Sequence, residues 1–218
     1  MTFYDTLVDA TGAARTEFLS IPTVARGLRG DIPLSAYVAF LGEAYHHVKH
    51  TVPLLMSCGA ALSERHEWLR EAMGHYIEEE MGHQEWILND IIACGADAEA
   101  VRRGRPGPAA ELMVAYAYDT IHRGNPAGFL GMVFVLEGTS IRLAQQAARA
   151  IQTSLGLPDR AFSYLTSHGA LDQQHMEFFR ALVNRLDDEA DRQAVRHGAV
   201  MFYRLYGEIF RGLPLGQA

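Results

Sequence analysis

The chain has 218 residues, 49% of them apolar, which is enough to bury one sizeable core and too few for two domains of ordinary size. Its 26 acidic side chains against 19 Lys plus Arg leave a net charge of −7, which argues against a surface built to neutralise nucleic-acid phosphates or anionic lipid. Two cysteines, Cys58 and Cys94, are too few for a disulfide framework; they suit a reducing, cytoplasmic setting in which both are small buried hydrophobes.

Met1 to Ala10 lacks the basic patch and apolar stretch of a signal peptide, and no run approaches the roughly 18 consecutive apolar residues that span a bilayer. The longest apolar patch, Gly128 to Leu136, stops at Glu137. One domain over residues 1–218, with no membrane segment, is the expectation.

Apolar residues recur at helical spacing almost throughout, which predicts seven or eight helices and an all-α fold. The first, about Phe3 to Leu19, opens on a capping box, Thr2-Phe3-Tyr4-Asp5. The second runs from about Leu34 to a kink or stop near Pro53, because proline removes a backbone donor. The third spans about Glu64 to Cys94 and ends at Gly95. Residues Ala96 to Pro108, rich in Gly, Pro and Arg, read as a loop. A fourth helix covers about Ala109 to His122, and Asn125-Pro126 caps a fifth reaching about Ser154. Pro158-Asp159 starts a sixth, bent near Gly169, and the last covers roughly Glu189 to Arg211.

Three helices carry metal-binding side-chain types. In His168-Gly169-Ala170-Leu171-Asp172-Gln173-Gln174-His175, positions i, i+4 and i+7 fall within roughly 60° on a helix, so His168, Asp172 and His175 share one face. Two imidazoles and a carboxylate suit iron, manganese or zinc. On the third helix Glu80 and His83 form a Glu-x-x-His pair whose i, i+3 spacing lets both reach one metal, and Glu79 at i, i+4 is an equally possible partner. On the fifth, Glu137 is the single ionisable residue in an apolar half, where a lone carboxylate needs a cation: a metal, or an arginine such as Arg142 or Arg180. The second helix adds Glu43, His46, His47 and His50 on one face, as a ligand, a proton relay or a solvated stripe.

The order Glu-x-x-His, lone Glu on an apolar helix, His-x-x-x-Asp-x-x-His resembles the haem-oxygenase-like di-iron oxidase and oxygenase family, which is related to the thiaminase II and pyrroloquinoline-quinone synthase proteins. The similarity runs from about Leu34 to Leu186. It implies a haem-oxygenase-like bundle of seven to eight helices around a central metal and substrate cavity. It also implies two irons, the second labile, O2 as cosubstrate, a small-molecule substrate and a homodimer. By the resemblance Glu137 bridges the irons, His83 and His168 serve one, Asp172 and His175 the other, and Glu80 and Glu137 are the carboxylates of the chemistry. The chain has Tyr76 where some relatives carry a glutamate, so Glu80, Glu43, His46 or His47 must cover that role. The resemblance implies oxidation by desaturation, C–C cleavage or N-oxygenation.

Other readings demand other residues. A thiaminase-type enzyme needs a cysteine nucleophile, and neither Cys58 nor Cys94 sits in a recognisable motif, so no nucleophile is assigned. A haem enzyme needs one axial histidine and leaves Asp172 and Glu137 unexplained. A ferritin-like bundle would use Glu43/His46 and Glu80/His83 and leave His168, Asp172 and His175 idle.

Overall fold

The computed structural model describes residues 1–215, apart from the side chains of residues 168–174. The chain forms α1 (Phe3–Ala10), α2 (Gly12–Ser20), α3 (Pro22–Gly27), α4 (Leu34–Val48), α5 (Thr51–Ala61) and α6 (Glu67–Glu80). There follow α7 (His83–Ala93), α8 (Ala98–Arg103), α9 (Pro108–His122), α10 (Leu130–Leu155), α11 (Ser163–Val183) and α12 (Glu189–Arg211). Single 3-10 turns occupy Glu64–His66, Pro126–Phe129 and Asp159–Ala161, and no strand occurs among the described residues. The long α10 packs against α11 on one side and α12 on the other, with α5 on α6, α4 on α7 and α9 on α12.

The helices are more numerous and shorter than periodicity predicts, and each break has a local cause. The first segment divides at Thr11, whose hydroxyl donates back to the Leu7 carbonyl (2.8 Å) and whose backbone leaves helical values (φ −96°, ψ 0°). Extended Ile21 and then Pro22 in the first turn start α3, between the first and second helices that periodicity predicts. The second segment breaks before Pro53 rather than at it. Pro53 lies in the first turn of α5, where its missing donor has no partner to lose. Inside the expected loop, Asp97 accepts a hydrogen bond from Ala100 N (3.0 Å) and caps α8. The third segment breaks at Met81-Gly82, where Gly82 takes φ +91°. The bend expected near Gly169 lies outside the described residues.

Two hydrophobic clusters organise the interior. The larger gathers Leu54, Leu69, Met73, Phe134, Phe179 and Phe202, and the smaller gathers Tyr37, Leu41, Ile87, Ile91, Ala148 and Phe162. The helix pair α6 and α7, and the long helices α10 and α11, pass from one cluster to the other. Along α10, Val135 belongs to the larger and Ala144 to the smaller; along α11, Leu165 belongs to the smaller and Phe179 to the larger. The segments between these residues contain Glu79 to His83, Glu137, and His168 to His175.

Residues 126–155 are long and apolar enough to cross a membrane by length and composition, with 61% of the apolar window buried inside the protein. The segment is the central core helix, and its approach to α12 is unusually close. A Cβ on Gly131 would lie 2.3 Å from Ala199 N, and one on Gly198 would lie 2.4 Å from Gly128 O, so both positions require glycine.

Candidate metal centre

The last turn of α6 carries Tyr76, Glu79 and Glu80. Extended Met81 (ψ 118°) and left-handed Gly82 then reverse the chain, and His83 opens α7. The reversal turns the imidazole back onto the preceding turn, with His83 Nδ1 2.9 Å from Glu80 Oε2. The Glu80/His83 pair therefore forms across a helix break, and the uninterrupted i, i+3 helical geometry expected from the sequence does not hold. His83 is 3% exposed and stacks on Trp86 with centroids 4.1 Å apart.

From α11, His175 brings Nε2 to 2.9 Å from Glu79 Oε2 and lies edge-on to the Tyr76 ring, centroids 6.3 Å apart. Glu79 Oε2 and His175 Nε2 are close without the alignment of a hydrogen bond.

Tyr76 lies at the middle of the group. It is 2% exposed, and its hydroxyl is buried with no hydrogen-bond partner among the described residues. Leaving such a group unsatisfied costs about 1–3 kcal/mol. Burial, followed by the negative charges of Glu137, Glu79 and Glu80, pushes its phenol well above the ordinary value. Tyr76, Glu80 and Glu137, from two helices, line the same cavity. Glu137 faces a cavity, as Glu80 does, and Arg180, one of the arginines weighed as its partner, lies 3.8 Å from Asp5 instead.

Among the described residues, no three His, Cys, Asp or Glu side chains converge into one ready metal-ligand group. The donors come as the pairs Glu80/His83 and Glu79/His175, with Glu137 on the facing helix. His168 and Asp172 lie outside the described residues. Carboxylates and imidazoles in this proportion fit non-haem iron by donor chemistry.

The second helix of the sequence reading divides its candidates. Glu43 accepts from Gly107 N with both oxygens (3.0 and 3.1 Å), so its carboxylate is engaged in fixing the start of α9. His46 contacts Lys49 Nζ through Nδ1 (3.3 Å) and does not line the cavity. His50 contacts the Tyr118 hydroxyl through Nδ1 (3.3 Å). His47 does line the cavity and lies edge-on to Tyr206. Burial pushes the Cys58 thiol up to about 12 and the Cys94 thiol up to about 11, and neither lines the cavity.

One positioning residue escaped the sequence reading. Asp90 on α7 is fully buried and caps α11 from outside it, accepting from Ser163 N (3.0 Å), Tyr164 N (2.9 Å) and the Ser163 hydroxyl. The helix that opens with His83 thereby holds the helix that carries His175. A lone Asp within Ile-Leu-Asn-Asp-Ile-Ile was the available signal, by the same reasoning that singled out Glu137.

The cavity, about 180 Å³, lies between the two hydrophobic clusters. Tyr76, Glu80, Glu137 and His47 are among its polar lining, while Phe18, Val24, Phe40, Leu143, Phe210 and Leu213 give it hydrocarbon walls.

The fold is that of several solved structures. A domain with a heme oxygenase-like fold from Shewanella denitrificans is 23% identical, with a TM-score of 0.86 over 96% of this chain and 90% of that one. A TenA homolog from Pseudomonas syringae pv. tomato is 13% identical, with a TM-score of 0.77 over 95% and 90%. Heme oxygenase-1 from the cyanobacterium Synechocystis, solved in complex with heme, is 13% identical, with a TM-score of 0.77 over 98% and 93%. No curated protein matches the chain. The sequence profile of the iron-containing redox enzymes matches residues 38–207, which takes in Tyr76, Glu79, Glu80, His83, Glu137 and His175, and the chain belongs to that family.

Proposed function

We propose that this chain is a non-haem di-iron oxidase or oxygenase, with iron held at the seam between the two clusters and O2 as cosubstrate. The observation that carries the reading is the pair of carboxylate–imidazole contacts, His83 to Glu80 and His175 to Glu79, each 2.9 Å, beside Glu137, which lines one cavity with Glu80. Such a concentration of negative charge is unfavourable in an apolar interior unless cations offset it. Glu80 and His83 would hold one ion, Glu79 and His175 the other, and Glu137, which lines the cavity with Glu80, would be shared between them; His168 and Asp172 complete the set in the sequence reading. Bound iron(II) supplies the reducing equivalents and open coordination positions that O2 chemistry needs.

The chain's own contribution is positioning and exclusion of water. Asp90 fixes the start of α11, Trp86 stacks on the His83 ring, and the apolar walls keep solvent from the reacting end. Two free, buried thiols support a reducing, cytoplasmic setting.

A haem reading has one observation in its favour, the cavity-lining His47, together with the heme-bound neighbour. The cavity volume weighs against it, because about 180 Å³ lies below the roughly 300–1,000 Å³ of clefts that take drug-sized ligands, and a porphyrin is a large ligand.

Anaerobic reconstitution with iron(II), followed by metal analysis, tests the proposal. The chain is expected to retain about two irons. His83→Ala and His175→Ala should each lower retention, and Glu137→Ala should abolish reaction with O2. Glu43→Ala should leave iron content unchanged. A chain that never holds stoichiometric metal, or one that binds haemin with a Soret band lost in His47→Ala, overturns it.

A further inference from the structure

We infer that the groove between α10 and the residues just after α3 binds a small molecule carrying two or three linked phosphate groups, through Arg29, Arg142 and Arg149. The groove, about 690 Å³, lies on the opposite face of α10 from the central cavity, whose wall takes Leu143, Ala144, Ala147 and Ile151 from the same stretch of helix. Binding there stands or falls independently of iron.

Two fixed contacts build the groove. Gly30 takes φ +73°, and a Cβ on it would lie 2.3 Å from Ala150 O, so only glycine lets the chain seat this closely on α10. Beside it, Gln146 Nε2 donates to the Leu28 carbonyl (3.3 Å). Arg29, between Leu28 and Gly30, is thereby held along α10, where Arg142 and Arg149 lie on one face, separated by about 10 Å along the axis.

The charge in the groove is one-sided. The chain carries 26 Asp plus Glu, yet none lines the groove among the described residues. Asp31, the acidic residue nearest to Arg29 in the sequence, is taken up by Arg26 (3.0 Å), and the three groove arginines have no carboxylate partner among the described residues. Like charges gathered without a counter-charge repel one another, and an anionic ligand relieves that repulsion. A guanidinium fork pairs two N–H donors with two oxygens of one phosphate, and Gln145, Gln146, Thr153 and Ser154 add neutral donors.

Size and net charge select the class of ligand. A single phosphate is shorter than the span of about 10 Å between Arg142 and Arg149, whereas linked phosphates spread their oxygens along it. The volume falls within the roughly 300–1,000 Å³ of small-molecule clefts and admits an organic portion as well. A net charge of −7 repels an extended acidic surface, while a small ligand in the groove feels chiefly the nearby guanidiniums, because exposed charges beyond about 8 Å are screened at physiological salt.

The test is calorimetric titration of the full-length protein with inorganic triphosphate, pyrophosphate and orthophosphate, as purified and again after chelation. Triphosphate should bind about tenfold tighter than orthophosphate, equally well before and after chelation, and more weakly as salt rises. Arg142→Ala and Arg149→Ala should each weaken triphosphate about fivefold, and Arg149→Lys by less, since it keeps the charge and loses the fork. The groove arginines are exposed, so these variants should fold, and Arg105→Ala, at an exposed arginine outside the groove, should change nothing. Orthophosphate binding as tightly as triphosphate, binding lost on chelation, or unchanged affinity in both alanine variants would each overturn the inference. So would tighter binding of anionic-lipid vesicles or poly-glutamate than of triphosphate.

Discussion

The two hydrophobic clusters are built by different means. In the larger, around Phe134, Phe179, Phe202 and Met73, order comes from bulky apolar packing and from the backbone approach at Gly131 and Gly198. The larger cluster's buried polar tie, Asp191 held by His66 and Asn125, lies at the start of α12, whereas the ties of the smaller cluster join α4 and α7 to residues 161–164. Tyr37 donates to the Ala161 carbonyl (2.7 Å), and Asp90 caps α11 with three acceptor contacts. Apolar packing is non-directional, whereas a hydrogen bond fixes distance and angle. The directional ties fall where α7 and α11 must keep register to hold His83 and His175 together.

That contrast can be broken at its strongest point first. Gly131→Ala places a methyl group against α12 backbone, which cannot rotate away, so it should destabilise by about 3 kcal/mol or more. Denaturant unfolding would register the loss, and a near-parental midpoint would show that α10 and α12 can separate freely.

Asp90→Ala should cost less globally, about 2 kcal/mol, since it removes capping contacts but also a buried carboxylate. Its signature is local. Amide exchange should accelerate at the start of α11, and iron retention should fall although no metal donor has been altered. Unchanged exchange there would separate the smaller cluster's polar ties from the site.

The smallest effect is a pH dependence beside the smaller cluster. Burial, then the charges of Lys49 and His50, holds His46 below the ordinary value of 6.5; burial, then Lys49, does the same to His50. The folded chain therefore binds fewer protons than the unfolded chain just below that value. Stability should be flat above about pH 7 and decline as pH falls through 6.5, levelling off once both residues are protonated in the folded state. His46→Gln should remove part of that decline, and an unchanged pH profile in the variant would show that His46 does not contribute.

Much of the site was legible as chemistry and little of it as geometry. Glu137 was visible because a carboxylate interrupts an apolar helical stretch, Glu80 and His83 by their Glu-x-x-His spacing, and His175 by sharing a helix face with His168 and Asp172. Glu79 was visible only as an alternative to Glu80, and the fold uses both, each against a different histidine. The break that makes this possible, at Met81-Gly82, is a left-handed glycine inside a strong helical pattern, and periodicity passes through such a position without registering it. Glu43 and His46 carry the same residue types as true candidates, and their exclusion depends on Gly107 and Lys49.

The all-helical class and the carboxylate and imidazole donors could be read directly from residue order. Hydrophobic period and side-chain chemistry are local properties, and they do not depend on where the rest of the chain goes. Which donors meet, which helix Asp90 caps, and that Tyr76, Glu80 and Glu137 line one largely apolar cavity follow from the packing of the helices. Those are relations between helices distant in the chain, fixed by how two clusters pack and where α6, α10 and α11 cross between them.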